Sequence, residues 1–411
     1  MNQDPSRADQ APLALLIERA EQPSMTIGEM LAEALSTVRA HLRMDVAFIG
    51  EFREGRRLFR QVDGHYQALP IVLGSGAPLT ESYCQRVVDG RLPELIRNAA
   101  EMEEALTLPE TQAIPIGAHL SVPIRFSDGS LYGTFCCFSQ RPNDRLDESD
   151  VTTLRLFARF AGKLLERHAA SEKRRAETLE RIRGVIDTRD FWVVYQPIFH
   201  LASDRLIGYE ALARFRPEPY RSPDLWFEEA GCVSLRTDLE LVMLEAALDG
   251  LPLIPEDVYL SLNVCPDALR DGRVVQLLAR QPVQRLMLEV TEHTSIIDYA
   301  EIATILEPLR RKGLRLAVDD AGAGYASFRH ILKLKPDVIK LDRSLISNVD
   351  SDQDSCAMAA ALIRFAEQTG SKIIAEGVET DAELAALRRL HVANAQGFLL
   401  GMPGPLEQVR P

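Results

Sequence analysis

Side chains of the types that bind metal ions follow short apolar runs throughout the second half of the chain. The run 206–209 leads to Glu210, for example, and the run 314–318 leads to Asp319 and Asp320. Further polar side chains follow apolar runs at Asn263, Glu289, Lys340, Glu376 and Gln396. Four or five carboxylates brought together repel one another unless cations lie between them. Because oxygen ligands suit hard ions such as Mg²⁺ or Mn²⁺, the pattern indicates a hydrolytic metal centre.

These side chains converge if the apolar runs are strands of a parallel barrel, because such a barrel brings the carboxyl ends of its strands to one mouth. Apolar runs and helical patterns do alternate in this part of the chain. We predict strands at 257–263, 285–290, 314–319, 337–342, 372–376 and 394–398. We predict helices at 237–249, 266–280, 298–311, 325–333, 353–369 and 380–390. About eight strands in roughly 220 residues is the size of a TIM-like (β/α)8 barrel.

The barrel is expected to contain one antiparallel strand. Two strand-like runs, 193–199 and 206–214, are joined by the short polar link 200–205. A parallel crossover needs a dozen or more residues, so these two runs should form an antiparallel hairpin.

The adjacent aspartates Asp319 and Asp320 require a bend in their strand. Successive side chains of a regular strand point to opposite faces, so two neighbours cannot both reach one site. Gly322 and Gly324 would let the backbone turn there.

Lys340 alternates with Ile339 and Leu341 and should therefore face away from them. It could form a structural ion pair, for instance with Asp342, or act inside the acidic mouth. The number of acidic side chains at the mouth favours the second interpretation.

The motifs of this region form an ordered set. They are Tyr195-Gln196-Pro197-Ile198, Glu210-Ala211-Leu212-Ala213-Arg214, Leu262-Asn263-Val264, Leu288-Glu289-Val290-Thr291-Glu292, Val318-Asp319-Asp320-Ala321-Gly322-Ala323-Gly324-Tyr325, Ile339-Lys340-Leu341-Asp342-Arg343, Ala375-Glu376-Gly377-Val378-Glu379-Thr380 and Gln396-Gly397-Phe398. In this order and spacing the set resembles the EAL-domain phosphodiesterases of cyclic di-GMP, over about residues 190–407. The resemblance implies metal-dependent hydrolysis of one phosphodiester bond of cyclic di-GMP, which gives linear pGpG.

The resemblance also implies a role for each matching residue. One divalent ion, Mg²⁺ or Mn²⁺, would be held by Glu210, Asn263, Glu289 and Asp319. A second would be held by Asp319, Asp320 and Glu376, with Asp319 as the bridge. The catalytic set would be Glu210, Lys340, Glu376, Gln396 and Glu292. Within it, Lys340 and Gln396 would position the attacking water or the phosphate, and Glu292 would anchor the loop 320–327. Substrate contacts would come from Gln196, Arg214 and Asp342, with Arg214 on a phosphate.

Two rival functions stay open at this point. The first is a catalytically inactive cyclic di-GMP receptor, and the second is an unrelated metallohydrolase barrel that acts on other phosphodiesters. The family often has an aromatic residue where this chain has Ala321, which affects how the loop packs and removes no ligand. Because every expected metal ligand is present, an active enzyme is favoured. Synthesis of cyclic di-GMP is not expected, since no segment resembles the cyclase domain.

The first part of the chain predicts an α+β module. A capping box at Thr26 and Glu29 begins a helix, and Ser127-Asp128-Gly129 marks a hairpin turn between 121–126 and 131–138. The segments 120–124 and 128–135 resemble the GAF sensory module. That resemblance implies an unknown small ligand, and a dimerisation platform that binds nothing is the alternative.

The chemistry-bearing residues of this module predict no site. His65 and His119 are isolated histidines, which are usually packed or exposed rather than ligands. Cys136 and Cys137 should point to opposite faces of a strand. No chromophore-attachment signature surrounds Cys84.

One long helix is predicted over 147–187, with a charged second half from Glu166 to Arg183. This half is either a solvated spacer or a two-stranded connector that pairs subunits, and a homodimer is expected. The predicted organisation is a flexible segment 1–22, a GAF-like domain 23–165, a helical connector 166–189 and an EAL domain 190–411.

Composition limits the partners of the protein. Its 411 residues carry a net charge of −13, which opposes binding to polymeric nucleic acid. The six cysteines show no CxxC spacing, as is typical of a reducing cytoplasm. With a polar start and no apolar run of about 20 residues, the chain is expected to be cytoplasmic without a membrane span. The GAF ligand, the sign of its control and the preferred ion do not follow from the sequence.

Overall fold

The structure, a computed structural model, describes residues 25–64, 72–290, 299–321 and 331–409, and only the backbone of Asp320. The chain forms two compact units, Met1–Arg174 and Arg175–Pro411. In the part of the chain that is described, no helix has the length and apolar character needed to cross a membrane.

Unit 1 is built on a six-stranded antiparallel sheet with the order β3-β2-β1-β6-β5-β4. Its strands are β1 (Val46–Arg53), β2 (Arg56–Gly64), β3 (Gly76–Pro78), β4 (Leu95–Ile96), β5 (Ala118–Arg125) and β6 (Leu131–Ser139). Its helices are α1 (Ile27–Leu42), α2 (Tyr83–Val88), α3 (Glu103–Leu106) and α4 (Pro109–Ala113), followed by the long α5 (Glu148–Thr188). The expected α+β module is confirmed.

Local sequence signals determine where these elements begin and turn. The capping box at Thr26 and Glu29 is present at the start of α1. The β5–β6 hairpin turns at Gly129, whose φ of 83° is a conformation that favours glycine. Cys136 and Cys137 lie in separate hydrophobic clusters on the two faces of the sheet, as their alternation predicts.

The charged second half of α5 has its apolar side chains buried within unit 2. Ile182 and Val185 are buried there with Phe191, Phe215 and Trp226. The solvated-spacer interpretation fits residues 171–177, which are exposed. It does not fit the end of the helix, where Ile182 and Val185 are buried inside unit 2.

Unit 2 is a closed eight-stranded barrel with the order β10-β11-β12-β13-β14-β7-β8-β9. The strands are β7 (Phe191–His200), β8 (Arg205–Phe215), β9 (Tyr259–Val264), β10 (Leu286–Val290), β11 (Arg315–Ala321), β12 (Val338–Leu341), β13 (Lys372–Ala375) and β14 (Asn394–Ala395). Strand β7 is antiparallel to both of its neighbours, and the remaining pairs are parallel. The predicted barrel with one antiparallel strand is confirmed.

The helices around the barrel differ from the prediction in several places, and most of the helix predicted over 325–333 lies outside the described residues. They are α6 (Pro223–Cys232), α7 (Arg236–Leu248), α8 (Pro266–Leu269), α9 (Gly272–Ala279), α10 (Tyr299–Arg310), α11 (Arg343–Ile346), α12 (Gln353–Thr369), α13 (Asp381–Arg389) and α14 (Leu406–Val409). The single helix predicted over 266–280 is wrong, because Asp271 caps the start of a second helix. Helix α6 was missed, although Pro223 in its first turn is a helix-start signal.

The inward face of the barrel carries an apolar layer followed by a polar layer. Met287, Ala317, Val338 and Ile374 belong to one buried apolar cluster inside the barrel. Two residues further along the same strands come Glu289, Asp319, Lys340 and Glu376. Because side chains repeat with a period of two along a strand, each of these polar groups points into the barrel above an apolar residue.

Candidate active site

The ammonium group of Lys340 lies at the centre of the polar layer. Its Nζ is 2.5 Å from Glu376 Oε1 and 2.6 Å from Glu289 Oε2. It is 3.3 Å from both Glu210 Oε2 and Asp319 Oδ1. Lys340 is only 1% exposed. The four carboxylates that the sequence placed at strand ends therefore converge on one point.

Five strands supply these groups, namely β8 and the consecutive strands β10 to β13. Glu210 lies on β8 and Glu289 on β10, whereas Glu376 directly follows β13. Glu289 is in register with Asn263 of β9. A parallel barrel aligns the same level of successive strands, so residues more than 160 positions apart reach one site.

Amide side chains complete the hydrogen bonds of the carboxylates. Asn263 Nδ2 donates to Glu210 Oε1 at 3.0 Å. Gln396 Nε2 donates to Glu210 Oε2 at 2.5 Å and to Glu376 Oε1 at 3.2 Å. The Gln396 amide follows β14, the last barrel strand in sequence, and contacts Glu210 of β8, one of the first barrel strands. This contact forms only because the sheet closes through β7.

Sequence reasoning missed one member of the network. Ser261 Oγ donates to Glu289 Oε1 at 2.5 Å, and Ser261 is fully buried. The available signal was its position two residues before Asn263, which places both side chains on the same face of β9.

The charges of the cluster shift the pKa of its members. Burial, reinforced by the neighbouring carboxylates, raises the pKa of Glu289 and of Glu376 well above the usual range, although Lys340 opposes this. Burial also acts on Glu210, but the Lys340 charge and the two amide donors outweigh it and lower the pKa of that carboxyl. For Lys340 itself, the four carboxylates outweigh burial and raise its pKa. One ammonium does not balance four carboxylates, so the site favours additional positive charge.

The strand bends where the adjacent aspartates stand. The pairing register between β11 and β12 shifts at this point. Val318 pairs with Ile339, and the next pair is Ala321 with Leu341. Strand β11 thus fits one extra residue, as in a β-bulge, and the predicted bend is confirmed. The side chain of Asp320 and the residues Glu292, Gly322 and Gly324 lie outside the described part of the structure.

The donor set matches a hard divalent ion. All of the converging acceptors are carboxylate or amide oxygens, and Asp319 Oδ1 and Gln396 Oε1 are buried without a hydrogen bond from any described residue. The contact of Asp319 Oδ1 with Lys340 is an ion pair at 3.3 Å. Among the described side chains, no group of three or more Asp, Glu, His or Cys surrounds a ready metal position. The carboxylates instead point towards the ammonium.

The predicted substrate residues have different surroundings. Gln196 is buried and donates to the Gly401 carbonyl at 3.2 Å. Arg214 lines a cleft of about 600 Å³ with Trp192, Arg216 and Tyr220. With Phe215 and Glu218, which also line it, the cleft presents two guanidinium groups, three aromatic rings and one carboxylate.

Asp342 forms no ion pair with Lys340, so the alternative of a structural pair between these two residues is wrong. Its carboxylate accepts from Ser344 N at 2.9 Å and caps α11. Its predicted role in substrate binding stays a prediction. Thr380 caps α13 in a capping box with Glu383, as expected of a residue that opens a helix.

Comparison with known proteins identifies related sequences for both units. A family model described as EAL domain matches residues 179–403, and one described as GAF domain matches residues 24–166. The chain is 30% identical over 226 residues to the probable cyclic di-GMP phosphodiesterase PdeD of Escherichia coli, covering 53% of this chain and 42% of PdeD. It is 31% identical over 239 residues to the cyclic di-GMP phosphodiesterase NbdA of Pseudomonas aeruginosa, covering 55% of this chain and 30% of NbdA. The chain thus spans less than half the length of either relative.

Solved structures of EAL proteins are also similar to this chain. The PaMucR phosphodiesterase in complex with c-di-GMP has a TM-score of 0.52 and 30% identity, covering 56% of this chain and 99% of that one. The EAL enzyme Bd1971 in its cAMP-bound form has a TM-score of 0.53 over 89% of this chain and 92% of that one, and its 18% identity supports the fold alone. Since the EAL model matches more than half of the residues, the chain belongs to the EAL domain family, with a GAF domain ahead of its EAL domain.

Proposed function

We propose that this chain hydrolyses cyclic di-GMP to linear pGpG with the help of two divalent ions. The observation that carries the proposal is the convergence of Glu210, Glu289, Asp319 and Glu376 around Lys340. The names of the relatives, the probable cyclic di-GMP phosphodiesterase PdeD and the cyclic di-GMP phosphodiesterase NbdA, support the choice of substrate.

The residues that would hold Mg²⁺ or Mn²⁺ divide into two sets that share Asp319. The first set is Glu210, Asn263, Glu289 and Asp319, and the second is Asp319, Asp320 and Glu376. When bound, such ions lower the pKa of water and neutralise charge on a phosphodiester in its transition state. Asp319 Oδ1 is buried, contacts Lys340 at 3.3 Å and accepts no hydrogen bond from a described residue, which supports its role as the shared ligand.

Lys340 acts by positioning. Its ammonium contacts all four carboxylates and so holds their oxygens at the mouth of the barrel while reducing their mutual repulsion. Being fully protonated in this environment, it also offers N–H donors to a phosphate oxygen or to the attacking water.

Gln396 can orient the attacking water. Its amide nitrogen donates to Glu210 and Glu376, which leaves Oε1 as a buried acceptor without a described donor. A water molecule that donates to this oxygen would be held beside the carboxylates. Arg214, in the cleft with Trp192 and Tyr220, would bind a phosphate, and the rings would contact the flat guanine bases.

The direct test is incubation of the full chain with cyclic di-GMP and Mg²⁺ or Mn²⁺, followed by chromatography of the products. We expect pGpG to accumulate with metal and not with a chelator. Tight binding without pGpG would instead support the receptor, and preference for a non-cyclic diester would support a different metallohydrolase.

We also infer that the GAF domain regulates this activity and that the protein works as a homodimer in the cytoplasm. The match of residues 24–166 to the GAF family supports the sensory role. The six cysteines are all free thiols, as is usual in a reducing compartment. The molar mass in solution, measured by light scattering, tests the dimer. A monomeric mass would exclude it. Analysis of small molecules that co-purify with the chain tests the sensory ligand.

A further inference from the structure

Two thiols of unit 1 lie in direct contact inside the domain. Cys84 belongs to α2 and Cys136 to β6, and their sulfur atoms are 3.3 Å apart. Both residues are fully buried. A disulfide has a sulfur–sulfur length of about 2.05 Å, so the two atoms need to approach by only about 1.2 Å to bond.

A buried guanidinium group lies beside the first thiol. Arg57 Nη1 is 3.7 Å from Cys84 Sγ, and Arg57 is held in place by an ion pair of 2.5 Å with Glu110. The guanidinium also lies over the rings of Phe48 and Phe59, with centroid distances of 5.3 and 4.5 Å. This arrangement fixes a positive charge next to Cys84, where it stabilises a thiolate.

The two thiols therefore differ in character. Burial raises the pKa of a thiol, but for Cys84 the hydrogen bond with Cys136 and the Arg57 charge outweigh burial and lower it to about 7. Burial and the neighbouring Cys84 raise the pKa of Cys136 well above its usual range. Such a pair has one thiol that reacts as the thiolate and a second that is close enough to resolve the product.

Hydroxyl groups hold the second thiol in place. Ser121 Oγ is 3.0 Å from Cys136 Sγ, and the Cys136 thiol contacts Thr134 Oγ1 at 3.2 Å. Both hydroxyl-bearing residues are buried. These contacts keep Cys136 Sγ directed at Cys84 rather than at the apolar neighbours of its cluster.

Other cysteines of the chain provide a contrast. Cys137 is equally buried but lies on the other face of the sheet, and burial raises the pKa of its thiol. Cys232 is exposed. Cys137 therefore reports general oxidation of buried thiols, and Cys232 reports oxidation at the surface. A reaction specific to Cys84 and Cys136 can be distinguished from both.

We propose that Cys84 and Cys136 form a redox modification site that reacts with small hydroperoxides and closes as a reversible disulfide. The Cys84 thiolate attacks the peroxide oxygen, which gives a sulfenic acid and releases an alcohol or water after protonation. Cys136 sulfur then attacks Cys84 sulfur, the S–S bond forms and the hydroxyl leaves as water. In total, two thiols and one hydroperoxide give one disulfide, one water and one alcohol, or two waters with hydrogen peroxide. The oxidant must be small because neither sulfur is exposed to solvent.

The test treats the full chain with hydrogen peroxide, blocks free thiols with iodoacetamide and analyses the peptides by mass spectrometry. We expect a Cys84–Cys136 crosslinked peptide that has lost two hydrogen atoms, that forms at least about tenfold faster than any oxidation of Cys137, and that dithiothreitol reverses. In Cys136→Ser, dimedone should instead trap a sulfenic acid on Cys84. Cys137→Ser is the matched control and should form the crosslink at the wild-type rate.

Two results would overturn the proposal. One is full alkylation of Cys84 and Cys136 in the wild-type chain under conditions that oxidise Cys232. The other is a Cys84 sulfenic acid that persists in the wild-type chain without the crosslink. Because both readouts use the wild-type chain, a folding defect of Cys136→Ser does not affect them, and none of these measurements depends on phosphodiesterase activity.

Discussion

Replacing Lys340 by Met tests whether the ammonium group holds the acidic cluster together. The substitution keeps an unbranched side chain of similar length and removes the only cation that contacts Glu210, Glu289, Asp319 and Glu376 among the described residues. We expect the metal-free variant to be less stable than the wild type. We also expect added Mg²⁺ or Mn²⁺ to restore more stability in the variant, because the ions replace the missing positive charge.

The loss of folding stability expected in Lys340→Met follows from the burial of the four ion pairs. An ion pair at 4 Å contributes about 4 kcal/mol at an effective dielectric constant of ~20, and the four contacts here are shorter. Burying the ammonium cancels much of this, and removing one partner of a buried pair typically costs about 3–5 kcal/mol. For a unit of this size such a loss lowers the melting temperature by roughly 6–20 °C.

Thermal unfolding with and without chelator, followed by circular dichroism, measures the prediction. Lys372→Met is the matched control, since Lys372 begins β13 in the same barrel but is exposed. Turnover should fall strongly in Lys340→Met and stay unchanged in the control. Equal melting temperatures of Lys340→Met and wild type in chelator would refute the idea that the ammonium stabilises the cluster.

Three further predictions follow from single side chains. Glu210→Gln should lower turnover by at least about 100-fold, because even outer-shell partners of metals contribute 10–100-fold, whereas exposed Glu256→Gln should have no effect on the rate of pGpG formation. Ser261→Ala removes the donor to a buried carboxylate and should lower the free energy of unfolding by about 1–3 kcal/mol in denaturant titrations; an unchanged midpoint would contradict that contact. Burial, aided by the Arg57 charge, lowers the pKa of His119 from 6.5 to about 3. Between these values the unfolded chain binds a proton that the native imidazole does not, so stability should fall as the pH is lowered below 6.5, by up to about 1.4 kcal/mol per pH unit. His119→Leu should flatten this dependence for unit 1, and an unaltered slope would show that His119 does not cause it.

The order of strands and the identity of the inward-facing acids could be predicted from the sequence. Glu289, Asp319 and Glu376 each follow an apolar run, and the barrel brings such positions to one mouth whatever the detailed packing. The bend at Asp319 was predictable for the same reason, because two adjacent side chains cannot share a face without it.

Contacts between distant segments could not be predicted in this way. The sequence left open a structural ion pair between Lys340 and Asp342, but Asp342 follows the strand and its carboxylate accepts a hydrogen bond at the start of α11. Similarly, the charged neighbours of Ile182 gave no sign that it would be buried in a cluster with Phe191, Phe215 and Trp226.

The sequence by itself determined the barrel, its antiparallel strand and the acidic residues at its mouth, because strand periodicity and loop length are local properties of the chain. Only the tertiary structure decided that Lys340 stands between four carboxylates, that Ser261 supports Glu289, and that Cys84 meets Cys136 beside Arg57. Each of these contacts joins residues at least 21 positions apart, and the distance between their atoms depends on how strands pair and helices pack. Strand pairing and helix packing are not encoded in the spacing of residues along a single segment.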